Sequence, residues 1–294
     1  MLNKLSSHIK NKYISASNGV NLISVIIINY NTPAMTEKAI SLFIDWADGF
    51  NYEIILIDNN SSEKITGAAL KDWPIKFIQN TENVGFAKAV NQGIKAANGD
   101  YILLLNSDAL VEEATVKNML VYLKTKIRAG IIGPKFIYPD GRNQISSGKF
   151  PNFWREFFRL FMLNRLLPFD AYNKDFETVR PVDRVSGGCM LIKREVINQI
   201  GLFDEGYFFG AEDMDFCLRA GKFGWQTVYY PLVKLVHYHS FSSGGRKAIR
   251  TIKLERNSLD YFFKKNFPKK IISRVLIWQM HNLKILAFNL LGYK

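Results

Sequence analysis

Asp108 stands just past an apolar run, YILLL at residues 101–105, in the polar triplet Asn106-Ser107-Asp108. A carboxylate at a strand end can bind Mg2+ or Mn2+ while a diphosphate supplies the remaining oxygens. It can equally be an ordinary turn residue. Glu212, Asp213 and Asp215 place three acids within four positions. At a helix start such acids answer the macrodipole, and Asp215 lies four residues before Arg219, the spacing of an ion pair. Glu212 and Asp213 are left without an evident partner. Tyr207, Phe208, Phe209 and Gly210 precede them and predict a walled, partly dry site. A carboxylate there has a raised pKa and can act as a general base. His237 and His239 alternate along an extended segment and share a face, where an imidazole completes a metal site or plays a structural part. Asn83-Val84-Gly85-Phe86 precedes a helical stretch. It reads as an anion cradle of backbone N–H groups or as a plain turn and cap.

The elements that must position these groups alternate. Residues 23–29 (ISVIIIN), 53–57 (EIILI), 76–79 and 101–105 read as buried strands, being short, apolar and β-branched. Helices are expected after Thr32-Pro33, over 86–97 and over about 112–126, with a further strand over 130–137. This rhythm predicts an α/β fold with a mostly parallel central sheet and helices on both faces. Ligands then bind beyond the carboxyl ends of the strands, where 29–32, 58–62 and 106–108 all fall. From 139 to 184 the regularity fades into aromatics and prolines, an irregular connection or a helical hairpin. Strands are expected again at 185–193, 225–230 and 234–239, with helices over 195–200 and 211–223.

The chain has 294 residues, 48% of them hydrophobic and 22% charged, which excludes extensive disorder. Cys189 and Cys217 are its only cysteines, excluding a disulfide scaffold and a four-cysteine zinc site. They are expected as reduced core residues of a cytoplasmic protein. Net charge is +13, of which residues 246–294 carry +10: 12 Lys and Arg against Glu255 and Asp260. A near-neutral body with a basic end implies a localised anionic partner or none. Residues 1–22 lack the apolar run of a signal peptide and read as a leader. Residues 271–291 are long enough to span a bilayer, but Arg274, Gln279, His281, Asn282 and Lys284 interrupt them. An amphipathic helix fits better. Its apolar residues Ile272, Val275, Leu276, Leu283, Leu286 and Leu290 would lie on an anionic membrane surface or pack against protein. Neither a phosphate-binding G-x-x-x-x-G-K-[ST] nor an early G-x-G-x-x-G is present.

In order, VIIINYNT (25–32), LIDNNSS (56–62), NVGFAKAVNQGI (83–94), YILLLNSDA (101–109), SGGCMLIKR (186–194), FDEGYFFGAEDMDFCLRA (203–220) and VHYHSFSS (236–243) resemble glycosyltransferase family 2. The flavour is that of its rhamnosyltransferase-like branch, which builds bacterial surface polysaccharides. The resemblance covers three quarters of the chain and rests on seven motifs in the right order.

The resemblance implies a GT-A fold over residues 23–245, with a nucleotide-binding half to about 138 and an acceptor half from about 139. The basic helical segment 246–294 follows. It implies that Asn31 and Asp58 touch the nucleotide, Asp58 reading the base, and that Asn83, Gly85 and Asn91 flank that site. Asn106 and Asp108 match the metal motif, with Asn106 replacing its first acid. Asp213 matches the catalytic base and Glu212 its neighbour, while Gly187 and Gly188 match an acceptor-side segment. His237 matches a histidine that reaches the metal or diphosphate. The implied cofactor is Mg2+ or Mn2+. The implied reaction moves a sugar from a nucleotide sugar, dTDP-rhamnose first and a UDP-hexose second, to a glycan or lipid-linked acceptor. One base opposite the leaving group predicts inversion. The expected setting is the inner face of the cytoplasmic membrane, with a homo-oligomer possible and nucleic acid not a partner. A sugar nucleotidyltransferase would want an early glycine- and Arg/Lys-rich phosphate loop that is missing. A non-catalytic module using only the basic tail is the remaining alternative.

Overall fold

A computed structural model describes residues 21–47, 49–65, 73, 75–160, 176–238 and 249–290. Most of the expected leader, His239, and residues 246–248 and 291–294 of the basic segment lie outside the described residues.

Four parallel strands open the sheet: β1 (Leu22–Asn29), β2 (Asn51–Asp58), β3 (Ile75–Gln79) and β4 (Tyr101–Asn106). Between them run α1 (Pro33–Trp46) and α2 (Phe86–Ala96). There follow β5 (Ala109–Val111), α3 (Thr115–Thr125), β6 (Ala129–Ile137), β7 (Asn143–Gln144), β8 (Ser147–Gly148) and α4 (Phe153–Leu160). After these come β9 (Arg180–Val182), β10 (Arg184–Val185), β11 (Cys189–Lys193), α5 (Arg194–Ile200), α6 (Glu212–Lys222) and β12 (Gln226–His237). The chain closes with α7 (Ile249–Asn266) and α8 (Ile271–Leu290). The sheet runs β3-β2-β1-β4-β11-β6-β12-β5, with β7 beside β6 and β9 beside β12. β11 is antiparallel to both neighbours and β6 pairs β12 in parallel, so the sheet is mixed beyond β4.

Strand alternation distributes the core over the two faces. Ile23, Val25 and Ile27 of β1 join Ile40 and Phe43 of α1 and Met119 and Leu123 of α3. Ile26 joins Val90 and Ile94 of α2, Val196 of α5 and Phe216 of α6. Each such side chain contributes about 1.5–3 kcal/mol when removed from water. A third cluster unites Leu259, Phe262 and Phe263 of α7 and Ile277 and Met280 of α8 with Tyr207 and Ala211. Phe153 and Phe157 of α4 pack on it. Among its described residues the 139–184 connection contains α4 and the short strands β7 to β10.

Three expectations change. The strand expected over 185–193 is broken by the turn at Gly187 and Gly188 into β10, which pairs β8 in a separate small sheet, and β11 of the main sheet. The strands expected at 225–230 and 234–239 are, among the described residues, a single strand, β12, over Gln226–His237, with a register irregularity between Tyr230 and Lys234, where Pro231 supplies no N–H to a ladder. The helix expected from 112 starts at Thr115, because Ala109–Val111 is drawn into antiparallel pairing with the end of β12. The Asp215–Arg219 pair does form, at 2.8 Å. α7 extends it: Lys265 and Asn266 each donate to the Asp215 carboxylate at 2.9 Å, and Tyr207 donates at 3.2 Å. Burial acts to raise the pKa of Asp215, yet the bonds from Asn266, Lys265 and Arg219 outweigh it and hold the carboxyl below the ordinary range.

Candidate active site

The site lies where the strand ends meet the start of α6. Register sets Asn29 opposite Asp58, and Asn106 beside Ile28. Asn29 donates to Asp58 Oδ2 at 2.7 Å and to Ser61 Oγ at 3.0 Å. Its Oδ1 accepts from Thr36 Oγ1 at 2.9 Å. Gln79 and the Ser61 N–H complete the Asp58 shell at 2.7 and 2.9 Å. Burial acts to raise the Asp58 pKa, but the Ser61, Gln79 and Asn29 bonds prevail and hold it low. A second amide network joins Asn59, Asn80, Asn83 and Gly85. Asn59 Nδ2 donates to Asn83 Oδ1 at 2.9 Å, and the Val84 N–H donates to Asn59 Oδ1 at 3.1 Å.

Asn31 adopts a left-handed φ of 57° and accepts the Ser62 N–H at 2.7 Å. That conformation suits asparagine. Gly85 turns the chain into α2 at φ 84°, and the Phe86 N–H then donates to the Phe208 carbonyl at 2.9 Å. A Cβ on Gly85 would stand 2.7 Å from that carbonyl oxygen, so a glycine is required by space as well as by φ.

Asp108 and His237 are joined by sheet pairing. β5 runs antiparallel to β12 with His237 opposite Ala109, and the Tyr238 N–H donates to the Asp108 carbonyl at 3.0 Å. His237 Nε2 then lies 3.3 Å from Asp108 Oδ1. His237 Nδ1 donates to Gln144 Oε1 at 3.0 Å, which orients the ring so that Nε2 faces the carboxylate. Phe136 covers the ring with centroids 5.1 Å apart. An imidazole nitrogen and a carboxylate oxygen therefore converge on one point.

Glu212 and Asp213 open α6, after Gly210 and Ala211 at positive φ of 85° and 70°. Alanine in that region carries about 1–2 kcal/mol of strain, which here turns both carboxyls inward. Asp213 Oδ2 accepts the Gly187 N–H at 3.1 Å, and Oδ1 accepts the Met214 N–H at 2.7 Å. Glu212 is buried, and Oε2 has no hydrogen-bond partner among the described residues. Burial first, and the neighbouring Asp213 charge second, push its pKa up to about 8. The raised carboxyl expected in this pair is thus Glu212.

One cleft of about 530 Å³ gathers these elements. Its walls include Asn31, Asn83, Gly85, Asn106, Asp108, Gly187, Gly188, Glu212 and Asp213, with His237 just behind Asp108. Asp58 and Asn91 do not line it. Asp58 spends its oxygens on the strand ends, and Asn91 is buried against Phe203, accepting its N–H at 3.0 Å and donating to its carbonyl at 2.8 Å. Through these bonds Asp58 shapes the 59–62 loop beside the cleft. The sequence reading missed Tyr30 and Asn59 on the wall, Gln144 behind His237, and Arg250, Thr251 and Leu254 from α7. Asn59 lies within the LIDNNSS segment, 56–62. Gln144 carries no sequence signal, and Arg250 is one of twelve basic residues in 246–294 with nothing local to single it out.

The family model of glycosyl transferase family 2 matches residues 24–201. The N-acetylglucosaminyl-diphospho-decaprenol L-rhamnosyltransferase of Mycobacterium tuberculosis is 26% identical over 241 residues, covering 76% of this chain and 78% of that protein. The rhamnosyltransferase WbbL of Escherichia coli is 27% identical over 244 residues, covering 78% of this chain and 89% of the other. Among solved structures, a mannosyltransferase of Pyrobaculum calidifontis in complex with GDP-Man and Mn2+ superposes with a TM-score of 0.58 at 16% identity. It covers 98% of this chain and 82% of that one, and supports the GT-A fold. The chain belongs to glycosyl transferase family 2, and it is a glycosyltransferase.

Proposed function

We propose that this chain moves a sugar, with inversion, from a nucleotide sugar to a glycan or lipid-linked acceptor in cell-surface polysaccharide synthesis, with dTDP-rhamnose the first donor to test. One observation carries the reading: Asp213 and the Asp108–His237 pair, far apart in sequence, meet at one cleft. The rhamnosyltransferase names of two relatives support the donor, and the diphospho-decaprenol in one name supports a lipid-linked acceptor.

Asp213 is the base. Backbone N–H groups of Gly187 and Met214 fix its plane, and each oxygen keeps a lone pair to accept the acceptor's hydroxyl proton as that oxygen attacks the anomeric carbon. Asn31, Asn83, Gly85 and Asn106 border the donor, and Gly187, Gly188 and Glu212 the acceptor. Holding the two in line supplies a further part of the rate. Among the described residues no group of three or more His, Cys, Asp or Glu is placed to hold a metal. The donor set at the converging pair is one carboxylate and one imidazole, which suits a Mg2+ or Mn2+ ion completed by phosphate oxygens. When bound, such an ion supplies positive charge for the departing diphosphate, with Asp108 and His237 as its protein donors.

The test is Asp213→Asn. It should bind nucleotide diphosphates as the wild type does, and transfer sugar about 10²–10⁴-fold more slowly. Transfer at the wild-type rate would remove Asp213 from the role. The same binding measurement across dTDP, UDP and GDP, with and without Mn2+, names the donor base and probes Asp108.

We also propose that α8 lies on an anionic membrane surface. Ile277, Met280, His281 and Ile285 face the protein. Ile272, Val275, Leu276, Leu283, Leu286 and Leu290 are all exposed, so this helix packs on protein with one face and presents a second apolar face outward. α8 contains Arg274 and Lys284 and no acid, the pattern of an interfacial helix. No helix among the described residues is long and apolar enough to cross a membrane.

A further inference from the structure

The cleft wall is acidic where the chemistry falls: Asp108, Glu212 and Asp213 all line it. A nucleotide sugar and a lipid-diphosphate acceptor each bring negative phosphates to such a cleft, and opposing charges are needed to hold them. Among the described residues that line it, one is cationic, Arg250.

Arg250 is the second residue of α7, a helix of 18 residues with no acid in its first turn. Thr251 and Leu254 line the cleft with it, so the first turn of α7 forms part of the wall. The element is firmly placed. Ser258 Oγ donates to the Phe209 carbonyl at 2.9 Å, and Lys265 and Asn266 are bonded to buried Asp215.

Neighbouring cations in the basic segment have structural work. Arg256 stacks over Trp278 with its guanidinium 5.2 Å from the ring centroid, Arg274 pairs with Asp260 at 3.3 Å, and Lys265 also holds Asp204 at 2.7 Å. The Arg250 side chain is exposed, and its guanidinium makes no hydrogen bond or ion pair with a described residue. Of these four cations it alone is turned to the cleft and not to the protein.

We propose that Arg250 binds a diphosphate group carried into the cleft by a substrate. Its planar fork takes two phosphate oxygens at once. This rests on the glycosyltransferase reading for the identity of the substrates. The diphosphate belongs either to the nucleotide donor, where Arg250 holds charge on the leaving group, or to a lipid-linked acceptor, where Arg250 is a positioning residue.

The experiment compares wild type, Arg250→Ala and Arg250→Lys in two arms. In the first, dTDP, UDP, GDP and their parent nucleosides are titrated without turnover. A donor role predicts that Arg250→Ala loses about tenfold or more in nucleotide diphosphate affinity, that nucleoside affinity stays the same, and that lysine restores part of the loss. In the second arm, KM is measured for an alkyl-diphosphoryl sugar acceptor and for the diphosphate-free alkyl glycoside. An acceptor role predicts a rise of about tenfold for the first acceptor only. Changes below twofold in both arms overturn the proposal. Absence of transfer by the wild type would instead sink the proposed function, and the binding arm would still judge Arg250. Thermal melting serves as the control for folding; Arg250→Gln, which keeps most of the side chain's length, replaces the alanine variant if that melts early.

Discussion

Glu212 and Asp213 are chain neighbours with opposite surroundings. Asp213 takes two backbone N–H groups, while Glu212 has a buried oxygen without a partner among the described residues. The folded pKa of Glu212 is raised, to about 8, above an unfolded value of about 4.3. The folded state therefore binds more protons than the unfolded state between these values. By linkage, Glu212 costs progressively more stability as pH rises from about 4.3 toward 8. Glu212→Gln should melt higher than wild type at pH 8, with the gap closing by pH 5; a gap equal at both pH values would refute the buried carboxyl. Much at this scale was legible, because Asp108, Glu212 and Asp213 are acids at element ends with no partner in sequence. Asp58 was not. Its commitment to Asn29 depends on the register of β1 and β2, which no local pattern carries. Nor does any local pattern bring Gln144 to His237, 93 residues away.

At the level of elements, the turn into α2 is the sharpest constraint. Gly85→Ala would force a left-handed φ on alanine and drive its Cβ into the Phe208 carbonyl. The expected cost is about 1–3 kcal/mol, together with weaker nucleotide binding as the Phe86–Phe208 bond opens. Urea unfolding measures the first and titration the second; an unchanged midpoint would show that the turn relaxes freely. The parallel strands were readable because buried β-branched runs separated by helices leave few alternatives. The direction of β11 was not, since a strand buried on both faces reads the same either way. Pro231 made one strand look like two, and β5 is only three residues long.

For the whole molecule, the uneven charge acquires a shape. The exposed stripe recurs at Ile272, Leu276, Leu283, Leu286 and Leu290 of α8, a helix with no acid of its own. Replacing both Leu283 and Leu286 by Glu should reduce flotation with phosphatidylglycerol-containing vesicles by at least tenfold, leaving transfer to a water-soluble acceptor unchanged. Equal flotation would exclude the stripe as the contact, and a native dimer lost in the variant would reassign it to a second copy. The sequence separated this segment by charge, while packing ties it inward: Phe262 and Phe263 are buried, and Lys265 and Asn266 reach Asp215. A chimera that borrows its last two helices from a relative must therefore import a cation and an amide at the places of Lys265 and Asn266. Otherwise the graft leaves the Asp215 carboxylate in the interior short of two of its partners, and no match in hydrophobicity alone repairs that.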